Sequence, residues 1–113
     1  MDTSKKTLFL KSDKVGDGEL GSMLIKGFLN AIYEQKETPK AIVCVNSAVL
    51  LTTANIEDEI VQILKKIEEK GVVIYSCGTC LDYYEKRDDL KVGIAGNALD
   101  TAKMLLTENI VSL

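Results

Sequence analysis

Short apolar, β-branched runs alternate along the chain with longer segments whose apolar residues recur at helical spacing. Thr7 to Lys11, Ala41 to Asn46, Val72 to Ser76, Lys91 to Ala95 and Ile110 to Leu113 predict five strands. Helices are expected over Glu19 to Gln35, Ile56 to Lys70, Leu81 to Arg87 and Ala98 to Leu106. In the first helix Leu20, Met23, Leu24, Gly27, Phe28 and Ala31 form one apolar stripe, and Ile25, Leu29 and Ile32 a second. Two stripes predict a helix covered on more than one side, by the rest of the domain or by a second subunit. Asn55 is the expected cap of the second helix, Ile56, Ile60, Ile63, Leu64 and Ile67 its buried face, and Gly71 its stop. The acids Glu57, Asp58 and Glu59 suit the positive end of its dipole. In the last helix Ala98, Leu99, Ala102, Leu105 and Leu106 are expected to face inward. Ser12 to Gly18 and Ser47 to Asn55 read as loops, and Pro39 as punctuation before the second strand. The βαβαβαβαβ order predicts an α/β fold, a parallel sheet with helices on both faces joined by right-handed crossovers.

Composition narrows the setting. A chain of 113 residues is enough for one domain, spanning 1–113, and should bury roughly two thirds of its unfolded surface. Apolar residues make up 46% and Pro occurs once, which argues against disorder. The net charge is −3 with both signs scattered, so no nucleic-acid face is expected. No apolar run approaches the roughly 20 residues of a membrane span. Met1 to Lys6 is polar, without the apolar centre of a signal peptide, so a cytoplasmic location is the expectation. Three cysteines in such a chain are expected as reduced thiols. The absence of His removes Cys-His dyads, His metal ligands and the usual general base, and nothing in the pattern calls for a cofactor.

The candidate chemistry lies where the third strand runs into Cys77-Gly78-Thr79-Cys80. Both thiols then sit where a central strand gives way to a helix, the usual place for ligand sites in open α/β sheets. Free N–H groups of the first helical turn favour thiolate over thiol, Gly78 permits close approach of a substrate sulfur, and Thr79 can cap or donate. One thiolate can attack or carry a sulfur atom while the other resolves it. The competing readings are a metal half-site, which needs two further ligands, and inert structural cysteines. A thioredoxin-like site fits less well, since the motif follows the third strand and the one proline, Pro39, precedes the second. Cys44, inside a strand, reads as a core residue. Gly16-Asp17-Gly18-Glu19-Leu20-Gly21 matches a dinucleotide-binding pattern, but its acids oppose a pyrophosphate and no ribose-binding acid follows. It reads instead as a flexible loop that starts the first helix, or as a loop at the carboxyl edge of the sheet near the thiols. Asn46, Ser47 and the segment from Gly93 to Asn97 are expected at or near that edge, as donors to a small anion or a persulfide, or as solvated turns. Tyr83 and Tyr84 are expected to pack against the domain, and Glu85 to Asp89 to form a mixed, solvated helix end from which Lys86 or Arg87 could attract an anionic thiolate partner.

Cys77-Gly78-Thr79-Cys80-Leu81-Asp82-Tyr83-Tyr84 resembles the signature of YedF-like proteins of the DsrE/DsrF-like, sulfurtransferase-related superfamily. Gly18-Glu19-Leu20-Gly21, Pro39 with the strand ending at Asn46, and Lys91-Val92-Gly93 are similar to other parts of that family, so the resemblance spans nearly the whole chain. It implies a three-layer α/β/α domain with a five-stranded, mainly parallel sheet, and homo-oligomers. It implies a sulfurtransferase-like carrier of sulfane sulfur or selenium: in relatives a cysteine after the third strand, here Cys77, holds a persulfide, with Cys80 its neighbour. The implied partners are sulfur or selenium donor and acceptor proteins, among them a TusA-like protein, because YedF-like proteins usually carry a TusA-like domain ahead of this one. The alternatives from the residues themselves are a non-catalytic oligomeric module with structural or regulatory thiols and a dithiol oxidoreductase. One departure is Glu85, where relatives often have Gly.

Overall fold

The computed structural model describes residues 5–113, and residues 1–4 of the polar leading segment lie outside the described residues. Five strands form one all-parallel sheet: β1 (Thr7–Leu10), β2 (Ala41–Cys44), β3 (Val73–Cys77), β4 (Ile94–Gly96) and β5 (Ile110–Ser112), in the spatial order β4-β3-β2-β1-β5. The helices are α1 (Gly18–Glu34), α2 (Val49–Thr52), α3 (Glu59–Glu69), α4 (Gly78–Tyr83) and α5 (Ala98–Thr107). From β1 to β4 each crossover steps the same way along the sheet, and from β4 to β5 the chain returns across its full width. Right-handed connections therefore set α1 to α4 on one face and α5 on the other, giving three layers, α/β/α. Among the described residues no helix is long and apolar enough to cross a membrane.

The core fills the space between the sheet and the α1–α3 layer. Leu8, Leu10, Ile42, Cys44 and Ile74 meet Ile25, Leu29, Ile60, Leu64 and Ile67 there. Strand alternation gives the other face Thr7, Val43, Tyr75 and Cys77. In that layer Thr7 Oγ1 donates to Glu108 Oε1 at 2.7 Å, and Lys40 Nζ reaches Glu108 Oε2 at 2.9 Å. The Thr7 hydroxyl, then Lys40, holds the Glu108 carboxyl below the usual carboxylate range. A depressed acid stabilises the fold fully above its unfolded value of about 4.3 and loses that contribution as pH falls through the folded value. Glu108→Gln is thus expected to destabilise near neutral pH, with the gap to the native chain closing below about pH 4.3. Urea midpoints measured across that range check it.

Helix α1 is not covered on both stripes by its own domain, which leaves the subunit contact of the two expected readings, and the face of α5 expected inward lies outward. Of α1 only Gly21, Ile25 and Leu29 are buried. Its other stripe lies open, with Leu20 65% and Met23 63% exposed and Leu24 and Phe28 exposed as well. In α5 the stripe expected inward, Ala98, Leu99, Ala102, Leu105 and Leu106, faces out: Leu99 is 82% and Leu106 85% exposed. The half-buried positions of α5 are Thr101 and Met104. Periodicity locates an apolar face but not the side from which it is covered.

Helix ends also shift. α3 starts at Glu59, because Asn55 Oδ1 accepts from Glu57 N in a local turn and Asp58 then caps the helix at Ile60 N. Part of the expected loop after β2 folds as a 3-10 turn (Asn46–Ala48) and the single turn α2. The β4 run begins at Ile94, three residues later than its apolar pattern suggests, and α4 stops at Tyr83. There Glu85 N donates to the Asp82 carbonyl and Lys86 N to the Leu81 carbonyl, the paired bonds of a Schellman ending. That ending puts Glu85 at φ 56, the left-handed region. Glycine occupies it without the Cβ penalty of about 1 kcal/mol or more, offset in part by its greater freedom when unfolded. Glu85→Gly is expected to raise stability by about 0.5 kcal/mol, read from denaturant midpoints.

Candidate functional site

β3 is central in the sheet, and its last residue, Cys77, stands in register with Gly96 of β4. Residues on either side of the thiols are anchored in the core. Ser76 is fully buried and its hydroxyl lies 2.7 Å from that of Thr52, which itself donates to the Val49 carbonyl. Leu81, in α4, is also fully buried. The strand end and the first helical turn are thus fixed from beneath, and Cys77 and Cys80 are left half-buried at the carboxyl edge.

The two thiols lie close enough for Cys77 to act on the ionisation of Cys80. Burial, and then the Cys77 thiol, push the Cys80 thiol above its ordinary range, while the Asn46 amide acts in the opposite direction. Asn46 N lies 3.0 Å from Cys80 Sγ. This donor differs from the one expected. Cys77 occupies the N-cap position of α4, yet its side chain makes no capping hydrogen bond there. The amide reaches the pair from the turn after β2, and it goes to Cys80. Asn46 contributes through its backbone, not through the side-chain amide that marks it in the sequence.

Gly78 is buried, and the close approach it allows is by the chain itself. A Cβ there would lie 2.9 Å from an Arg87 guanidinium nitrogen and 3.0 Å from the Gly96 carbonyl oxygen. Arg87 Nη2 donates to the Gly78 carbonyl at 3.2 Å and to Asp82 Oδ2 at 3.0 Å, and its Nε donates to Asp82 Oδ1 at 2.7 Å. Arg87 holds the Asp82 carboxyl below the usual carboxylate range. The cation thus braces the turn that carries the thiols, a link the sequence shows only as Asp82 and Arg87 five residues apart. Thr79 is exposed beside the pair, and its hydroxyl makes no hydrogen bond to protein among the described residues.

The loop between β1 and α1 reaches the same edge: Asp13 N donates to Ser47 Oγ at 3.1 Å, next to Asn46. Its glycines serve this turn. Gly16 and Gly18 have φ of 80° and 69°, and a Cβ on Gly21 would lie 2.8 Å from the Gly16 carbonyl oxygen. Gly93 lies instead beside Ile74 in mid-strand, while Gly96 and Asn97 are at the edge. The Asn97 side chain is engaged in capping α5 at Asp100 N. Tyr83 is 80% exposed, contrary to expectation, and Tyr84 packs against the core. Cys44 is fully buried, and burial pushes its thiol up to about 12. Among the described residues no cluster of three His, Cys, Asp or Glu side chains is placed to hold a metal.

The thiols are partly exposed at the end of β3. Grooves of about 320 Å³, lined by Asp13, Met23, Ile25, Leu51 and Ile60, and of about 500 Å³, lined by Lys6, Leu8, Ile32 and Pro39, lie elsewhere, and neither includes a cysteine.

Comparison with known proteins places the fold. The α/β/α arrangement with this sheet is that of the ychN protein from E. coli, to which the chain is similar at a TM-score of 0.72 and 17% identity over 96% of this chain and 98% of that one. A conserved protein of unknown function from Bacteroides thetaiotaomicron is similar at a TM-score of 0.68 and 13% identity, over 100% of this chain and 98% of that one. No protein-family model and no curated protein matches the chain. The likeness in fold agrees with the three-layer α/β/α arrangement implied by the sequence resemblance.

Proposed function

We propose that this chain is a YedF-like carrier of sulfane sulfur or selenium that loads on Cys77. The observation that carries this reading is the pair of half-buried, neighbouring thiols at the carboxyl end of a central strand, with an amide donor on one of them. The Cys77 thiolate attacks the outer sulfur of a donor persulfide. A bond forms between Cys77 Sγ and that sulfur, the donor S–S bond breaks, and the donor leaves as thiolate. An acceptor thiolate then takes the outer sulfur and returns Cys77 to thiolate. Alternatively the Cys80 thiolate attacks the inner sulfur, forming a Cys77–Cys80 disulfide and releasing hydrosulfide.

Partly exposed thiols outside both grooves favour protein donors and acceptors, a TusA-like protein among them, over a small substrate that needs enclosure. The uncovered apolar rows of α1 and α5 support a homo-oligomer. The sulfur reading is tested by cyanolysis: the chain is treated with a persulfide donor, desalted and exposed to cyanide, which removes sulfane sulfur as thiocyanate. About one thiocyanate per chain is expected from Cys80→Ser, which cannot resolve the persulfide, on the one-carrier reading. No more thiocyanate than from a chain alkylated beforehand would overturn it.

The proximity of the two thiols also favours a second reading, a dithiol oxidoreductase. That activity needs both cysteines, whereas carriage from protein to protein needs only Cys77. Sulfur transfer by Cys80→Ser therefore separates the two.

A further inference from the structure

We propose that a second copy of this chain covers the bare half of the sheet face that carries Cys77, laying its α5 along Val73, Tyr75 and Cys77 while this copy's α5 does the same in return. This rests on the reading above that the chain self-associates. It names the face used and the consequence for Cys77, and it is independent of sulfur carriage.

The two faces of the sheet are unequally covered. Five strands about 4.8 Å apart span about 19 Å, and a helix about 10 Å across covers roughly half of that. α1 and α3 pack side by side on the first face, whereas α5 is the one helix on the second. It runs from the Gly96 end of β4 to the start of β1, where Glu108 takes the bonds from Thr7 and Lys40. Val43, on the same face of central β2, is buried. The β3–β4 half is bare. Val73 is 43% and Ile94 55% exposed, and half-buried Tyr75 shares the face of Val73 and the register of Ile94. Cys77 is the next residue of β3 on that face.

The helix is bare as well. None of the ten residues of α5 is buried, and ten residues are too few to hold a helix in water by propensity alone. Thr101 and Met104 are its half-buried positions, and Leu99 and Leu106 stand on the opposite side with exposed Ala102 between them. The fold thus lacks a helix on this face and has an apolar helix row to spare. A two-fold pairing answers both at once: the bare faces oppose, the two α5 helices lie side by side between the sheets, and each outward row meets the other copy's strip. A different protein would need to bring both a matching row and a matching strip.

The dimensions agree. A ten-residue helix is about 15 Å long and the row from Val73 to Cys77 about 13 Å. At roughly 180 Å² for a fully exposed branched aliphatic residue, Leu99, Leu105, Leu106, Val73 and Ile94 bare about 550 Å² per copy, so pairing buries about 1,100 Å² from them alone, above the roughly 1,000 Å² expected of a biological interface. The row on α1 lies in the other layer, where Leu8, Ile42 and Ile74 of the sheet are already buried. With the partner's helix in place, Cys77 is closed off from the sheet face and is approached from the carboxyl edge.

The direct test joins two full chains, each in a Cys77→Ser/Cys80→Ser background. One carries Ile94→Cys at the middle of the strip and the other Ala102→Cys at the middle of the row. Mixed and treated with a short bismaleimide, they are expected to give a cross-link between the unlike chains, identified by mass. Phe28→Cys on α1 mixed with Ile94→Cys is expected to give none. No unlike product from the first pair, or as much from the second, overturns the proposal. Because both thiols of the site are absent, a chain that carries no sulfur but cross-links in this way leaves the proposal standing.

A second measurement reads Cys77. In a Cys80→Ser background, Leu99→Glu with Leu106→Lys places on each end of α5 the charge that suits its dipole, so the helix of the single chain is kept. Sedimentation is expected to show the particle mass halved, and a bulky maleimide to alkylate Cys77 about tenfold faster, since thiol reactivity follows exposure. Met23→Glu on α1 is expected to leave that rate within about twofold of the parent. A parent that sediments as a monomer at high concentration overturns the proposal while leaving the carrier reading in place. So does an α5 variant with the parent's mass, or a halved mass with no faster Cys77.

Discussion

Cys77→Ser is expected to abolish sulfane-sulfur loading, and Cys80→Ser to load normally while losing the release of hydrosulfide. A serine hydroxyl is not ionised near neutral pH and cannot form a persulfide, so loading should fall on the order of 10³-fold or more, to the background of free reagents. Cys80 has a different place. It is a neighbour of Cys77, burial raises its thiol, and Asn46 N donates to its sulfur. Its replacement leaves the end of β3 intact, since Ser76 and Leu81 anchor both sides from the core. Thiocyanate yield and hydrosulfide release, measured on the same samples, separate the two variants. Equal loss of both activities in both variants would contradict this division and favour a dithiol redox role.

The largest effect on stability is expected at Gly93. It has φ 76, and a Cβ there would lie 2.3 Å from the Ile74 carbonyl oxygen and 2.9 Å from Ile74 Cβ. Its amide also donates to Glu68 Oε2 at 3.0 Å, so the backbone has little room to withdraw. Gly93→Ala combines a left-handed penalty of about 1 kcal/mol with a backbone clash, and should cost at least about 3 kcal/mol. Because β4 pairs only with β3, the cost falls on the edge that carries Gly96, the register partner of Cys77. Gly27→Ala is the control. Gly27 lies inside α1 with open space around it, and the change should stabilise by up to about 1 kcal/mol. Urea unfolding of both variants checks the pair, and a Gly93→Ala chain as stable as its parent would contradict the packing of β4 against β3.

Much of this architecture was legible in the sequence because period-2 and period-3.6 patterns report burial, and burial here follows one sheet. Val72 to Ser76 read as a buried strand; Ile74 and Ser76 are fully buried, while Val73 on the other face is exposed and Tyr75 half-buried. The thiol corner was legible because a Cys-x-x-Cys after a buried strand has one place to go in a parallel sheet. What stayed hidden depends on atoms that residue identity does not encode. The donor to Cys80 is a backbone N–H, which every residue but proline carries, and only the fold brings position 46 to position 80. Glu85 gave a hint, since glycine is common there in proteins the chain resembles, and the reason is its φ of 56. The outward stripe of α5 was misplaced because Leu99 and Leu106 look the same to a periodicity argument whether they meet the sheet or not. The bound cap at Asp58 rather than Asn55 turned on which of two good capping residues already closed a local turn.

The most direct measurement is peptide-mapped mass spectrometry of the chain after incubation with a persulfide donor and alkylation under non-reducing conditions. A mass gain of one sulfur atom on Cys77, lost on incubation with an acceptor thiol, is the expected result. An unmodified Cys77 under a donor that loads a known sulfur carrier, or a gain found on Cys80 instead, would contradict the assignment of Cys77 as the carrier.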